Sequence, residues 1–211
     1  MSGCEVRECG TSGVLLGGGD RKTLTPACST VDSCRIHDFG ILRRTYAGGV
    51  HLEGCGLAVR GCEIFNAPHT AVFFSCNDSV LESNDVHHVL LETGDAGAFY
   101  TGRDWTTQGN VLRYNFVHDL GTGTTAREGE DAAVSGTNAM GMYFDDCDCG
   151  AIIDVREMFR YNDNGTVPGI FSRMAPMRDN TVIYTKDAKA LAHQKFDPRI
   201  ADGFRVIDTK K

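Results

Sequence analysis

Helical spacing is what this sequence of 211 residues most lacks. Between residues 3 and 182 apolar positions rarely recur at a helical period, and convincing capping boxes are scarce. A helix bundle or helix-based solenoid would need both. Proline is sparse, at five residues, and no Pro/Ser-rich linker breaks the composition. One domain is therefore expected at 1–184, with a Lys/Asp-rich tail or cap at 185–211. No apolar run approaches the roughly 18 residues of a membrane span. Met1 leads straight into Ser-Gly-Cys-Glu-Val without a basic or apolar leader, so no signal peptide is read and the compartment stays open. Lys and Arg number 21 against 28 acidic residues, a net charge of −7 with no basic stripe. Nucleic acid is not an expected partner, because phosphates demand clustered cations. Walker, dinucleotide and nucleophile-elbow phrases are missing; Gly17-Gly-Gly19 lacks the Lys-Ser/Thr and strand-to-helix context a phosphate loop requires.

Cysteine, by contrast, is plentiful. Nine residues cannot all pair within one chain, and no C-x-x-C occurs. Two of them, Cys34 and Cys62, fall inside a phrase written four times: Val31-Asp-Ser-Cys34-Arg-Ile36, Val59-Arg-Gly-Cys62-Glu-Ile64, Leu81-Glu-Ser-Asn84-Asp-Val86 and Leu112-Arg-Tyr-Asn115-Phe-Val117. The Cys/Asn positions are 28, 22 and 31 residues apart. A period of roughly 20 to 50 residues marks a solenoid, whose single repeats cannot bury their own apolar face. Cys34, Cys62, Asn84 and Asn115 are expected to form an inward ladder, with Cys acting as a small buried hydrophobe. His37, His87 and His118 each follow the β-branched residue of a phrase and predict a row on successive coils, not a converging metal site.

A second strand phrase accompanies the first: Gly13-Val-Leu-Leu16, Gly49-Val-His-Leu52, Ala71-Val-Phe-Phe74, Gly97-Ala-Phe-Tyr100, Gly141-Met-Tyr-Phe144 and Gly169-Ile-Phe171. Two or three short strands per coil, joined by Gly/Asn/Asp turns, predict an all-β fold, a parallel β-helix of about six to seven coils. Coils about 4.8 Å apart would make a rod on the order of 30 Å long. Cys4-Glu-Val6 already reads as the body of a coil, so a chain truncated at its N-terminal side is expected. The repeat weakens after Ile152-Ile-Asp-Val155, and residues 122–138 lengthen one coil.

Two phrases stand outside the repeat. One is Glu92-Thr-Gly-Asp95-Ala-Gly-Ala-Phe-Tyr100-Thr-Gly-Arg103-Asp104-Trp105, which holds the only tryptophan; the other is Tyr143-Phe-Asp145-Asp146-Cys-Asp148. Stacking Tyr100 on Tyr143 puts Gly102 over Asp145 and Arg103 over Asp146, so acids from neighbouring coils meet on one face. Carboxylates about 5 Å apart suit retaining glycoside cleavage, and wider pairs suit inversion. Crowding also pushes one carboxyl pKa upward, separating a donor from a base. The candidate catalytic residues are Asp95, Asp104, Asp145 and Asp146. Candidate substrate contacts are His88, Glu92, Tyr100, Arg103, Trp105 and Tyr143, and an oligo- or polysaccharide is the expected partner. No cofactor or metal is called for. Asp95 precedes its strand while Asp145 and Asp146 follow theirs, so only a bent turn at Gly94 would bring Asp95 into the same cleft.

His87-His-Val-Leu-Leu-Glu-Thr-Gly-Asp95-Ala-Gly through Trp105, Gly109-Asn-Val-Leu-Arg-Tyr-Asn115, and Tyr143-Phe-Asp-Asp146 with Gly150 resemble right-handed parallel β-helix proteins of the pectate-lyase-like superfamily. The nearest resemblance is to the glycoside hydrolase family typed by plant-cell-wall α-L-fucosidase and xylanase activities, over roughly residues 3 to 153. It implies hydrolysis by a pair of aspartates, matched by motif to Asp95 and one of Asp145 or Asp146, and relatives that are secreted. Polysaccharide lyase or uronate epimerase chemistry on the same fold, and a non-catalytic coil array, remain alternatives, since fold does not establish function.

Overall fold

The repeated phrase is short because it is a corner. In each copy an apolar strand residue and a charged one are followed by a residue in the left-handed region, and the chain then starts a new strand. Gly3, Ser33, Gly61, Ser83 and Tyr114 occupy that position, with φ of 60°, 53°, 56°, 56° and 56°. A second column of left-handed residues, Glu8, Asp38, Asn66, His88 and Asp119, closes the next corner, with φ between 48° and 55°. Asn, Asp and Gly tolerate this conformation best. Glu8, His88 and Tyr114 adopt it because the coils above and below dictate the turn.

The computed structural model describes residues 1–121 and 139–145 in full, and the backbone of four further strands at 152–154, 170–173, 180–184 and 204–208. The residues 122–138, together with Asp146, lie outside the described residues. No helix occurs among those described.

The strands form three parallel sheets. The first contains β1 (Glu5–Cys9), β4 (Arg35–Phe39), β7 (Glu63–Phe65), β10 (Asp85–His87) and β13 (Phe116–His118). The second contains β2 (Val14–Gly18), β5 (Val50–Cys55), β8 (Val72–Asn77), β11 (Ala96–Gly102), β14 (Ala139–Asp145) and β16 (Ile170–Arg173). The third contains β3 (Thr30–Asp32), β6 (Ala58–Arg60), β9 (Val80–Glu82), β12 (Val111–Arg113), β15 (Ile152–Asp154), β17 (Asn180–Tyr184) and β18 (Phe204–Asp208). From β1 to β12 each strand pairs with the one three further along the chain, always parallel. That is a β-solenoid: the chain visits three sheets in turn and returns one layer on. Strand β18 lies within 185–211 and pairs with β17.

Alternation sends every second residue inward. Val6, Ile36, Ile64, Val86 and Val117 stack in one inward column. Val31, Val59, Leu81 and Leu112 form another. From Val31 and Ile36 onward these side chains are fully buried. The expected ladder is present. Cys34, Cys62, Asn84 and Asn115 are all buried. The Cys62 N–H donates to Asn84 Oδ1 (3.0 Å), and the Asn84 N–H donates to Asn115 Oδ1 (3.1 Å). Asn84 Nδ2 donates to the Val59 carbonyl (3.1 Å) and to Asn115 Oδ1 (2.9 Å). No disulfide forms among the seven described cysteines. Burial pushes the Cys62 thiol up to about 11, which keeps it protonated and inert.

Outward residues read differently. In the third sheet Asp32, Arg60, Glu82 and Arg113 alternate in sign up one column. Arg60 Nε lies 2.9 Å from Glu82 Oε1, and Arg113 Nη2 lies 2.6 Å from Glu82 Oε2. Exposed pairs of this kind add little stability singly. They do penalise any slip that would stack like charges.

The histidine row is also present, with one member the sequence pattern leaves out. His37, Phe65, His87 and His118 stack ring on ring, at 4.6, 5.0 and 5.0 Å between centroids. Each imidazole Nε2 faces a carboxylate of the preceding coil: Glu5, Glu63 and Asp85.

Candidate functional site

The second sheet carries the candidate residues. Its pairing puts Tyr100 beside Tyr143 and Gly102 beside Asp145, the register expected from stacking. Gly102 is what allows this close approach. A Cβ there would stand 2.2 Å from the Asp145 carbonyl oxygen and 2.7 Å from its Cβ. At Gly97 a Cβ would come within 2.7 Å of the Tyr143 Cβ. One strand phrase is displaced from the pattern read in the sequence. Phe99 pairs with Val72 and Met142, so the coil's counterpart of Val72-Phe-Phe74 is Phe99-Tyr-Thr101.

Two crossed hydrogen bonds join the acids to the tyrosines. Tyr100 OH donates to Asp145 Oδ2 at 2.7 Å, and Tyr143 OH donates to Asp95 Oδ1 at 3.1 Å. The two rings meet edge to face, 5.4 Å between centroids. A tyrosine of each coil thus holds the aspartate of the other. The bend that brings Asp95 here falls on Asp95 itself, at φ 51°, immediately after Gly94. Asp95 is exposed, whereas Asp145 is 5% exposed. Asp145 Oδ1 is buried without a hydrogen-bond partner among the described residues. The Arg103 N–H donates to the Asp145 carbonyl at 3.1 Å, and Arg103 Nη2 lies 3.6 Å from Asp145 Oδ2. Burial, then the hydrogen bond to Asp145, pushes the Tyr100 hydroxyl pKa well above its ordinary value, so Tyr100 stays a donor.

The other candidates are engaged elsewhere. Asp104 Oδ2 lies 2.8 Å from Arg21 Nη2, and Asp104 Oδ1 accepts from the Thr106 N–H (3.0 Å) and hydroxyl (2.6 Å). Burial works against its charge, but the Thr106 bonds and Arg21 outweigh that and lower its pKa to about 2. Asp104, one of the four candidate acids, has its carboxylate turned towards Arg21 in the fold. His88 lies in the left-handed corner beside the histidine row, its Nδ1 2.8 Å from His87 Nδ1. Glu92 forms a two-pronged ion pair with Arg44, including Arg44 Nε to Glu92 Oε2 at 2.8 Å. That hydrogen bond first, opposed by burial, holds the Glu92 carboxyl below its ordinary range. Trp105 is 65% exposed, on the segment that follows β11 and carries Arg103. Asp146 lies outside the described residues.

Residues not singled out in the sequence extend the site along the sheet. His51, Phe73, Tyr100 and Tyr143 form one outward column in register. Phe73 meets His51 at 4.7 Å and Tyr100 at 5.4 Å between centroids. His69 packs on Phe73 (5.6 Å) and on Tyr46 (5.3 Å). The second strand phrase held the signal, since each of these coils places a ring at the position after its β-branched or apolar residue. The result is a half-exposed aromatic column over three coils, His51, Phe73 and Tyr100, that ends on the buried Tyr143 and two carboxylates. Rings of this kind offer large flat faces to apolar surfaces.

A separate cleft of about 480 Å³, lined by Asp38, Phe39, Arg44, Asn66, Pro68 and Leu91, contains neither Asp95 nor Asp145. Among the described residues no three His, Cys, Asp or Glu side chains converge as a metal site. Comparison with known proteins finds no matching family model, no matching curated protein and no matching solved structure.

Proposed function

We propose that this protein is a carbohydrate-active right-handed β-helix of the pectate-lyase-like kind, a glycoside hydrolase in which Asp95 and Asp145 form the acid pair. The observation that carries this reading is the crossed bonding of Tyr100 to Asp145 and Tyr143 to Asp95. Two carboxylates from different coils are held by hydroxyls at one end of an aromatic column. One acid would protonate the leaving glycosidic oxygen while the other attacks the anomeric carbon or activates water. A glycan would lie along His51, Phe73 and Tyr100, its apolar ring faces on the aromatic side chains. Plant-type and algal polysaccharides are the substrate class.

The test is release of reducing ends from a panel of such polysaccharides. Asp95→Asn and Asp145→Asn should each lower activity by about a hundredfold or more, the scale of acid–base assistance, with the fold retained. Full activity in both variants overturns the assignment. Lyase chemistry has one observation in its favour, the Arg103 guanidinium near Asp145. It would release products with unsaturated uronide absorbance in place of simple reducing ends.

A further inference from the structure

Arg21 belongs to the segment after β2, yet its contacts lie on β8 and on the segment after β11. Its Nε donates to Asn77 Oδ1 at 2.7 Å. Its Nη2 donates to Thr106 Oγ1 at 2.9 Å and to Thr107 Oγ1 at 3.3 Å, and lies 2.8 Å from Asp104 Oδ2. Asn77 Nδ2 donates to the Thr106 carbonyl at 2.5 Å, and the Thr107 N–H donates to the Asp104 carbonyl at 3.2 Å. Asn77 and Thr107 are each 1% exposed. A single exposed ion pair would mean little. Here a rigid guanidinium fork meets four side-chain acceptors on two separate parts of the fold, a geometry lysine cannot reproduce.

The segment so held contains Arg103, which borders Asp145. Arg103 is in the left-handed region at φ 62° and bonds Asp145 through its own N–H. Trp105 follows Asp104 directly. We propose that Arg21 is a positioning residue of the candidate site: it straps residues 103–107 to the second sheet and so fixes Arg103 beside Asp145. The strap's purpose rests on the carbohydrate reading above; its mechanical action does not. Asp104 is the buckle, its carboxylate shared by Arg21 and Thr106.

The experiment is ¹⁵N relaxation on the full chain, for wild type, Arg21→Met and Asp104→Asn. Asp104→Asn keeps an acceptor for Thr106 but loses the ion pair, so it tests the strap even where Arg21→Met folds poorly. Backbone amides of residues 103–107 should fall from an order parameter of about 0.85 to below about 0.6, while those of β5, β8 and β11 stay rigid. Unchanged order at 103–107 in both variants overturns the strap. Trp105, as the chain's only tryptophan, then reports binding of xylohexaose or a galacturonan hexamer by fluorescence. Affinity should drop roughly tenfold in Arg21→Met, the scale set by the ordering of a few side chains. Arg21→Lys should restore the charge but not the affinity. Loss of order at 103–107 with no sugar bound by wild type would sink the carbohydrate reading and leave the strap standing. Loss of order with undiminished sugar affinity would reduce Arg21 to a structural residue and overturn its positioning role.

Discussion

Asn84→Ala tests the interior ladder directly. The Asn84 side chain accepts from the Cys62 N–H and donates to the Val59 carbonyl and to Asn115 Oδ1, all inside the core. Truncation leaves the buried Cys62 N–H without its acceptor, which costs about 1–3 kcal/mol. The two lost donor bonds add about 1 kcal/mol each, for roughly 3–5 kcal/mol in all. For a chain of this length that lowers Tm by on the order of 10 °C. Cys62→Ala is the internal control. Its thiol makes only weak sulfur contacts, 3.2 Å to the Arg60 carbonyl and 3.7 Å to the Val31 carbonyl. It should cost about 1 kcal/mol, mostly lost packing. Denaturant unfolding measures both, and amide exchange should localise the Asn84 effect to β6, β9 and β12, because coils couple chiefly to their neighbours. Equal losses in the two variants, or an Asn84→Ala cost below about 1 kcal/mol, would refute the view that amide hydrogen bonds hold the ladder together.

Three further outcomes follow from packing and charge. Burial, with a smaller push from His51, lowers the His69 pKa from 6.5 to about 4. Its neutral form is favoured by the fold, so its contribution is complete above about pH 6.5 and is lost as pH falls towards 4. That amounts to on the order of 3 kcal/mol, and His69→Gln should remove this share of the acid sensitivity measured by unfolding against pH. His37 runs the other way. Burial opposes its charge, yet Asp38 and Glu5 raise its pKa, so its contribution weakens as pH rises through neutrality. Gly102→Ala should destabilise by about 3 kcal/mol or more and displace Asp145, because the added methyl meets the Asp145 backbone. Thermal melting that matches wild type would show that β11 and β14 do not approach as described.

The coil architecture was legible because repetition is a one-dimensional property. A strand residue, a corner residue and a Cys or Asn recur in fixed order, and stacking then forces Tyr100 over Tyr143 and Gly102 over Asp145. The buried ladder follows from the same recurrence. Phe65 in the histidine row, and Phe73 with His51 along the aromatic column, were written in the same register, but a pattern defined by residue identity passes over a substitution of one ring for another. The partners of Asp95 and Asp104 were of a different kind. Both lie in irregular segments, where no repeat period relates one residue to the next. Asp95 reaches Tyr143 by a left-handed bend that any of several neighbours could have taken, and Asp104 turns towards an arginine 83 positions earlier in the chain. Periodic side chains are placed by the coil they belong to. Those on connecting segments are placed by whichever distant donor the folded surface brings within about 3 Å, and linear order carries no record of that distance.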